Sequence, residues 1–375
     1  MGKKFIFFEA LSAVKANMQP NGSAFMPEVF NTLLDWECGL RECECSKFLD
    51  LLKQYPHSFI LESNIPNCPD FVSHIRLTEE ELNTSYSLSD LVSFDHWNSA
   101  MQDFLDTIRP EQVLPNFPTR YNKFDAAMHM LSCVFSCAMA QGRVAFLRDK
   151  VFIHTTRLNR AEQEILLVLQ KNAEDGNWPF KFVKTNTKFY DYESHELWEN
   201  GLLPKPLDLS LTETEQCSPK SKIDFITEHI CKDNAVRFPR HILQSITGNQ
   251  FEVKDTITLS PEEFDEYKSG LCKFMEEHPD AVTDLEKKVK EAIARSIDRM
   301  KNYSNIPRAF YYPEKNRIMQ LIPLAFSDDS MVDLAMVVGP NGKNKYLGIT
   351  ILTREMAFFD TSLMEYRPLD WLMAA

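Results

Sequence analysis

Nowhere in its 375 residues does the sequence hold a run of eighteen apolar residues, so a membrane-spanning helix is excluded on length alone. It also lacks the short patterns that mark common chemistries. There is no G-x-G-x-x-G, Walker A, H-E-x-x-H or G-x-S-x-G, and no deaminase H-x-E with paired cysteines. Those absences remove phosphate-cradling loops, the helical zinc-protease pair, the serine elbow and the zinc-deaminase site as starting points. The nine cysteines are odd in number and repeat no C-x-x-C spacing, which argues against both a disulfide framework and a zinc site. Cys133 and Cys137 stand one helical turn apart in an apolar segment and are expected as core thiols. The set suits a reducing, cytoplasmic setting. Glu9 interrupts the apolar residues near the N-terminus and no small-residue cleavage site follows, so no secretory leader is expected.

Positive charge is also scarce. A net charge of −13 argues against indiscriminate binding to nucleic acid. The distribution is uneven, however: residues 286–317 carry nine basic side chains against four acidic ones, while acid gathers in 191–199 and 252–277. The length allows two or three domains with a sizeable core.

The most informative stretch is 306–363. Residues 317–326, 332–338 and 346–353 are apolar or β-branched segments joined by links too short for a helical crossover, which implies an antiparallel meander. Gly339-Pro340-Asn341-Gly342 has the composition of the turn between the last two. Residues 332–338 are almost wholly apolar, as in a strand buried on both faces. In 280–302, Val282, Leu285, Val289, Ile293, Ile297 and Met300 recur at helical spacing, with a basic face opposite and Thr283-x-x-Glu286 as a capping-box start. Residues 143–147 and 150–154 alternate as a hairpin over Arg148-Asp149, and 156–172 are expected to be helical. Phe180 and Phe182 are expected inward on a strand with Lys181 outward, and 191–250 to be a long, partly irregular excursion.

Residues 1–88 show three helical segments (5–18, 26–36, 45–54) and then two strand-like ones (59–62, 71–77) about Asn64-Ile65-Pro66-Asn67. That is winged-helix order. Ser46-Lys47-Phe48-Leu49-Asp50-Leu51-Leu52, Tyr55-Pro56-x-x-Phe59 and His74-Ile75-Arg76-Leu77 resemble the LOTUS (OST-HTH) family, which implies RNA or a protein as partner. The third helix is poor in arginine and 35–50 is acidic, which weakens a grip on phosphates. Farther on, Leu321-Ile322-Pro323-Leu324, Asp333-Leu334-Ala335-Met336-Val337-Val338 and Tyr346-x-Gly348-x-Thr350-Ile351-Leu352-Thr353, followed by Met356-Ala357, resemble the DUF3825 family. The likeness extends upstream through Leu167-x-x-Gln170-Lys171-Asn172. The resemblance implies a family without an assigned chemistry, sometimes fused to RNA-binding modules. The expected fold is α+β: a winged helix (1–88), a connector (89–110), and a mixed, largely antiparallel sheet domain with packed helices (111–375).

Several residues are candidates for function. His154, Arg157 and Arg160 gather where a strand would meet the helix expected at 156–172, and a helix N-terminus can hold phosphate; capping and solvated charge are the plainer account. Lys181 among aromatics suits stacked bases and phosphates. Arg295, Arg299, Arg308 and Arg317 flank Phe310, Tyr311 and Tyr312 in a basic, aromatic patch. Tyr311, Tyr312, Arg317, Gln320, Lys345, Thr350 and Arg354 could make up a metal-free site, the polar side chains of 317–320 and 345–350 sharing one sheet face, with Tyr311, Tyr312, Gln320 and His154 as the catalytic candidates. Asp328, Asp329 and Asp333 are expected as turn acids, so neither metal nor cofactor is expected. The leading expectation is an RNA-binding protein concerned with RNA processing. The alternatives are a metal-independent enzyme acting on nucleotides or nucleotide-capped RNA ends, and an adaptor docking a protein through the winged helix. No membrane partner is expected.

Overall fold

The computed structural model describes residues 3–37, 45–63, 72–93, 97–108, 122–172, 179–187, 192–208, 216–302, 307–327 and 332–361. The chain parts into two units. Described residues within Met1–Leu114, Lys123–Asp208 and Tyr312–Arg317 form the first; those within Pro115–Asn122, Leu209–Tyr311 and Ile318–Ala375 form the second. This two-way division cuts across the three segments expected from the sequence.

The first unit begins with α1 (Lys3–Ala16), β1 (Ser23–Phe25), α2 (Met26–Asp35), α3 (Cys45–Leu52), β2 (Phe59–Glu62) and β3 (His74–Leu77). Pro27 sits in the first turn of α2, where its missing N–H costs nothing, and Val29 and Leu33 turn inward. The strands form an antiparallel sheet of order β1-β3-β2. β1 has no counterpart in the sequence pattern, since three residues are too few for a periodic signal. The Asn64–Asn67 turn lies outside the described residues.

α4 (Glu79–Asn83), α5 (Leu88–Leu91), β4 (Val92–Ser93) and α6 (Trp97–Thr107) follow. β4 pairs in parallel with β8 (Phe180–Thr187), so the stretch expected as a connector contributes to a sheet. That sheet has the order β4-β8-β7-β6-β5. α7 (Lys123–Gln141) buries Cys133 and Cys137 as expected, and both are free thiols. β5 (Val144–Leu147) and β6 (Lys150–Leu158) make the expected hairpin, with Val144 opposite Ile153. The helix expected at 156–172 does not form. β6 continues through Leu158, and β7 (Glu164–Lys171) pairs antiparallel with β6 and β8. Ile165 to Leu169 are all buried, and five consecutive apolar residues fit a central strand covered on both faces better than a one-sided helix. α8 (Tyr192–Glu199) adds Leu197 to a cluster with Ala145, Leu147, Phe152, Leu166 and Val168.

In the second unit, β9 (Lys222–Phe225) is followed by a π-helical turn (Glu228–Asp233), a 3-10 turn (Ala235–Arg237), α9 (Arg240–Thr247), α10 (Pro261–Glu277) and α11 (Pro279–Asn302). β10 (Arg308–Tyr312), β11 (Arg317–Leu324), β12 (Leu334–Pro340), β13 (Lys345–Thr353) and α12 (Arg354–Thr361) follow, and apart from Tyr312–Arg317 they complete it. The expected meander is present: β11, β12 and β13 pair antiparallel in sequence. β12 is buried from Leu334 to Gly339. Gly339 and Pro340 stay within β12, and the turn falls at 341–344, where Gly342 takes φ +109°. β9 joins parallel to β13, so 191–250 is more ordered than expected. Its elements are short, and short elements leave little periodicity to detect. The capping box also lies elsewhere. Ser260 and Glu263 cap α10, whereas Thr283 is inside α11 and its hydroxyl donates to the Pro279 carbonyl. Leu285, Val289 and Ile293 of α11 pack with Ile322, Leu324, Met336 and Ile351, each such burial being worth about 1.5–3 kcal/mol. The α+β class holds, with antiparallel and mixed sheets. No helix among the described residues is long and apolar enough to cross a membrane.

Candidate functional site

A cavity of about 450 Å³ opens in the second unit. One wall is the 3-10 turn and the start of α9, supplying Asn234, Val236, Arg237, Phe238, Arg240 and Leu243. The loop before α10 and α10 itself supply Lys254, Asp255, Ile257, Phe264 and Lys268. Asp333 and the junction of β13 with α12 (Thr353, Arg354, Glu355, Met356) close it. The local sequence explains these bends. A π-helical turn is rare and recurs at functional sites, and here it leads through Asn234 to the 3-10 turn. Pro239 then sets an extended N-cap for α9, which has no side-chain cap. α12 starts more conventionally, with the Thr353 hydroxyl accepting from the Met356 N–H at 3.2 Å.

The cavity is cationic and apolar together. Arg237 is braced from behind, its Nη1 donating to Thr350 Oγ1 at 3.2 Å and to the Ile351 carbonyl. Arg354 is half-buried. Burial pulls its pKa down, and the nearby Asp333 carboxylate pulls it back up. Asp333 is itself engaged, accepting from the Phe326 N–H at 2.7 Å. Arg240, Lys254 and Lys268 are exposed at the rim. Five cations therefore face three carboxylates, Asp255, Asp333 and Glu355. Val236, Phe238, Leu243, Phe264 and Met356 give the site its apolar wall. Guanidinium groups bind phosphate or carboxylate in a fixed fork, and the apolar wall can take the body of the same molecule.

Of the sequence candidates, Arg354 lines this cavity and Thr350 stands behind it as a brace for Arg237. The others have different surroundings. Gln320 is 1% exposed, and its Oε1 accepts from the Cys217 N–H at 2.7 Å, a structural anchor for the loop before β9. Phe310, Tyr311 and Tyr312 are buried, and the Tyr312 hydroxyl donates to Glu314. Buried rings cannot offer their faces to bases, so the basic, aromatic patch is basic only. Within it Arg295 donates from Nε to the Ala325 carbonyl at 2.9 Å, Arg299 and Arg308 are half-buried, and Arg317 is exposed. Lys345 is exposed at the start of β13. Arg317, Gln320 and Lys345 do not line the cavity.

His154, Arg157, Arg160 and Lys181 belong to the first unit. Since 156–172 is strand and turn, the helix N-terminus expected beside them is absent. His154 is buried, its Nδ1 accepting from the Thr156 N–H at 3.0 Å and its Nε2 3.5 Å from Glu164. Arg157 is 1% exposed with its Nε 2.9 Å from Met130 Sδ. Arg160 is exposed in the turn and Lys181 half-buried on β8, where Phe180 and Phe182 point inward as expected.

Sequence reasoning missed Asn234, Arg237, Arg240, Lys254 and Lys268. The available signal was Arg237-Phe238-Pro239-Arg240, two arginines astride a proline that starts a helix. No curated protein and no solved structure matches the chain. The profile of the family described as Domain of unknown function (DUF3825) matches residues 123–371; covering well over half of the sequence and every cavity residue, it shows that the chain belongs to that family.

Proposed function

We propose that the second unit binds a nucleotide, either free or at the end of an RNA, in the cavity lined by the first turns of α9 and α12. The observation that supports this is the meeting of five cations with an apolar wall in a space of about 450 Å³. That volume lies within the roughly 300–1,000 Å³ of small-ligand sites, and phosphates and a planar base are the ligand parts that match its two characters. The same pairing favours a pocket over the open groove expected for RNA, because Phe310, Tyr311 and Tyr312, which follow the basic residues of 286–308 in the sequence, are buried. RNA then enters the reading as the polymer that carries the bound nucleotide. We read the N-terminal helices and strands as a winged helix that brings a protein or RNA partner, in a cytoplasmic setting consistent with the free thiols.

Equilibrium binding at low and moderate salt, using ATP, GTP and matched oligoribonucleotides with 5′-phosphate or 5′-hydroxyl ends, tests the reading. Binding of the mononucleotides or of the 5′-phosphate oligomer supports it and separates the two sources. Arg240→Glu with Lys268→Glu, both at exposed positions, should weaken that binding by about tenfold or more, or ~1.4 kcal/mol. Failure of every probe to bind even at low salt would overturn it.

A further inference from the structure

Asn234 is 6% exposed and is one of the residues that line the cavity. Its amide orientation is fixed by chemistry. Nδ2 lies 2.9 Å from the His229 backbone carbonyl, and a carbonyl can only accept, so nitrogen must occupy that side. Nδ2 also lies 3.0 Å from His229 Nε2. The second amide proton goes there, which requires Nε2 to be the unprotonated ring nitrogen. The proton then resides on Nδ1, which donates to Asp233 Oδ2 at 3.1 Å. Asp233 thus sets the tautomer, the tautomer engages the amide, and the π-helical turn that contains His229 and Asp233 holds them in register.

Both amide protons are therefore committed to His229. Among the described residues nothing donates to Oδ1, which is left as the polar atom that Asn234 can offer. We infer that Asn234 determines ligand specificity in this cavity: its Oδ1 accepts a hydrogen bond from the exocyclic amine of the bound base. This deepens the reading of the cavity as a nucleotide site and rests on it. The chemistry follows from the fixed amide. A well-held acceptor rewards an N–H and repels a carbonyl at the same place, and a site built around such a bond rejects ligands that leave it unpaired.

The experiment compares matched nucleotides on the intact protein. Adenosine 5′-monophosphate is set against purine riboside 5′-monophosphate, and guanosine against inosine 5′-monophosphate; each second member lacks one amine. The wild-type protein should prefer the amine-bearing member of one pair by about tenfold. In Asn234→Ala that ratio should fall to about one, an outcome that general damage to the fold, which lowers both affinities together, does not produce. A wild-type ratio of one in both pairs, which needs no variant at all, overturns the inference while leaving nucleotide binding intact. A preference that persists in Asn234→Ala overturns it too. If no nucleotide binds, the inference and the functional reading fall together.

Discussion

Lys15 offers a quantitative test of how the first unit is held together. Its side chain on α1 is almost fully buried, with Nζ 3.9 Å from Glu81 Oε1 and 5.4 Å from the centre of the Tyr86 ring. The Tyr86 hydroxyl donates to the same carboxylate oxygen at 2.7 Å. Burial pulls the lysine from 10.5 down to about 8, and the attraction of Glu81 recovers only part of that. Each tenfold displacement of a protonation equilibrium is worth ~1.4 kcal/mol, so below pH 8 the folded protein carries a desolvated ammonium at a penalty of about 3 kcal/mol. Between pH 8 and 10.5 the unfolded chain binds more protons, so this contribution to stability rises with pH. The perturbation is Lys15→Met together with Glu81→Gln, which preserves volume and leaves no lone buried carboxylate. Urea unfolding of both proteins from pH 7 to 9.5 provides the difference in stability. Burial pushes the Cys137 and Cys231 thiols up to about 12, so they cost stability above their ordinary range, but they do so in both proteins and cancel. The wild type should gain about 2 kcal/mol on the variant across that window. A difference that stays flat would refute the claim that Lys15 is held as a desolvated cation.

Two further outcomes concern packing. Gly142 has φ +63°, and an added Cβ would lie 2.5 Å from the Ala16 nitrogen and 2.6 Å from the Lys15 carbonyl carbon; Gly142→Ala should cost about 2–5 kcal/mol by urea unfolding, strain and overpacking combined. Leu285 is fully buried on α11, and Leu285→Ala should cost a similar ~2–5 kcal/mol by leaving a cavity.

The parts of the fold legible in the sequence are those with long or repeated signals. α11 shows its inward positions at three- and four-residue steps over 24 residues, and the meander shows three strands separated by evident turns. The failures have a common physical origin. Ile165 to Leu169 gives no period, since a strand covered on both faces and a buried helix segment look alike over five residues. β4 and β9 are two and four residues long, and their place in the sheets is set by partners distant in sequence. The site is harder still. The sequence pattern groups Arg354 with polar residues of the strands, yet it stands in the first turn of α12, and its neighbours in the cavity come from a 3-10 turn, a short helix and a loop. Tyr311 and Gln320 are candidates because polar groups on strands can face a cleft, but both are buried, and sequence alone does not say which face of a strand is covered.

The basic excess of 286–317 and the cavity make opposite forecasts for one measurement. If phosphates followed the outer face of α11, replacing Arg295, Arg299 and Arg308 by Ala would flatten the salt dependence of oligoribonucleotide binding, by about 0.7 in slope for each phosphate of a single strand that is no longer neutralised. The surroundings of these side chains point the other way. Arg295 donates to the Ala325 carbonyl, and removing a charged donor from a buried acceptor costs about 1–3 kcal/mol. The triple variant should therefore unfold at lower urea yet bind a short 5′-phosphorylated oligoribonucleotide with an unchanged slope. Arg240→Glu with Lys268→Glu should do the reverse, because both side chains are exposed at the cavity rim and exposed surface charges usually alter stability by within about 0.5 kcal/mol. Their salt slope should fall while the urea midpoint holds. A triple arginine variant with wild-type stability and a flattened slope would return the phosphate contacts to α11 and remove them from the cavity.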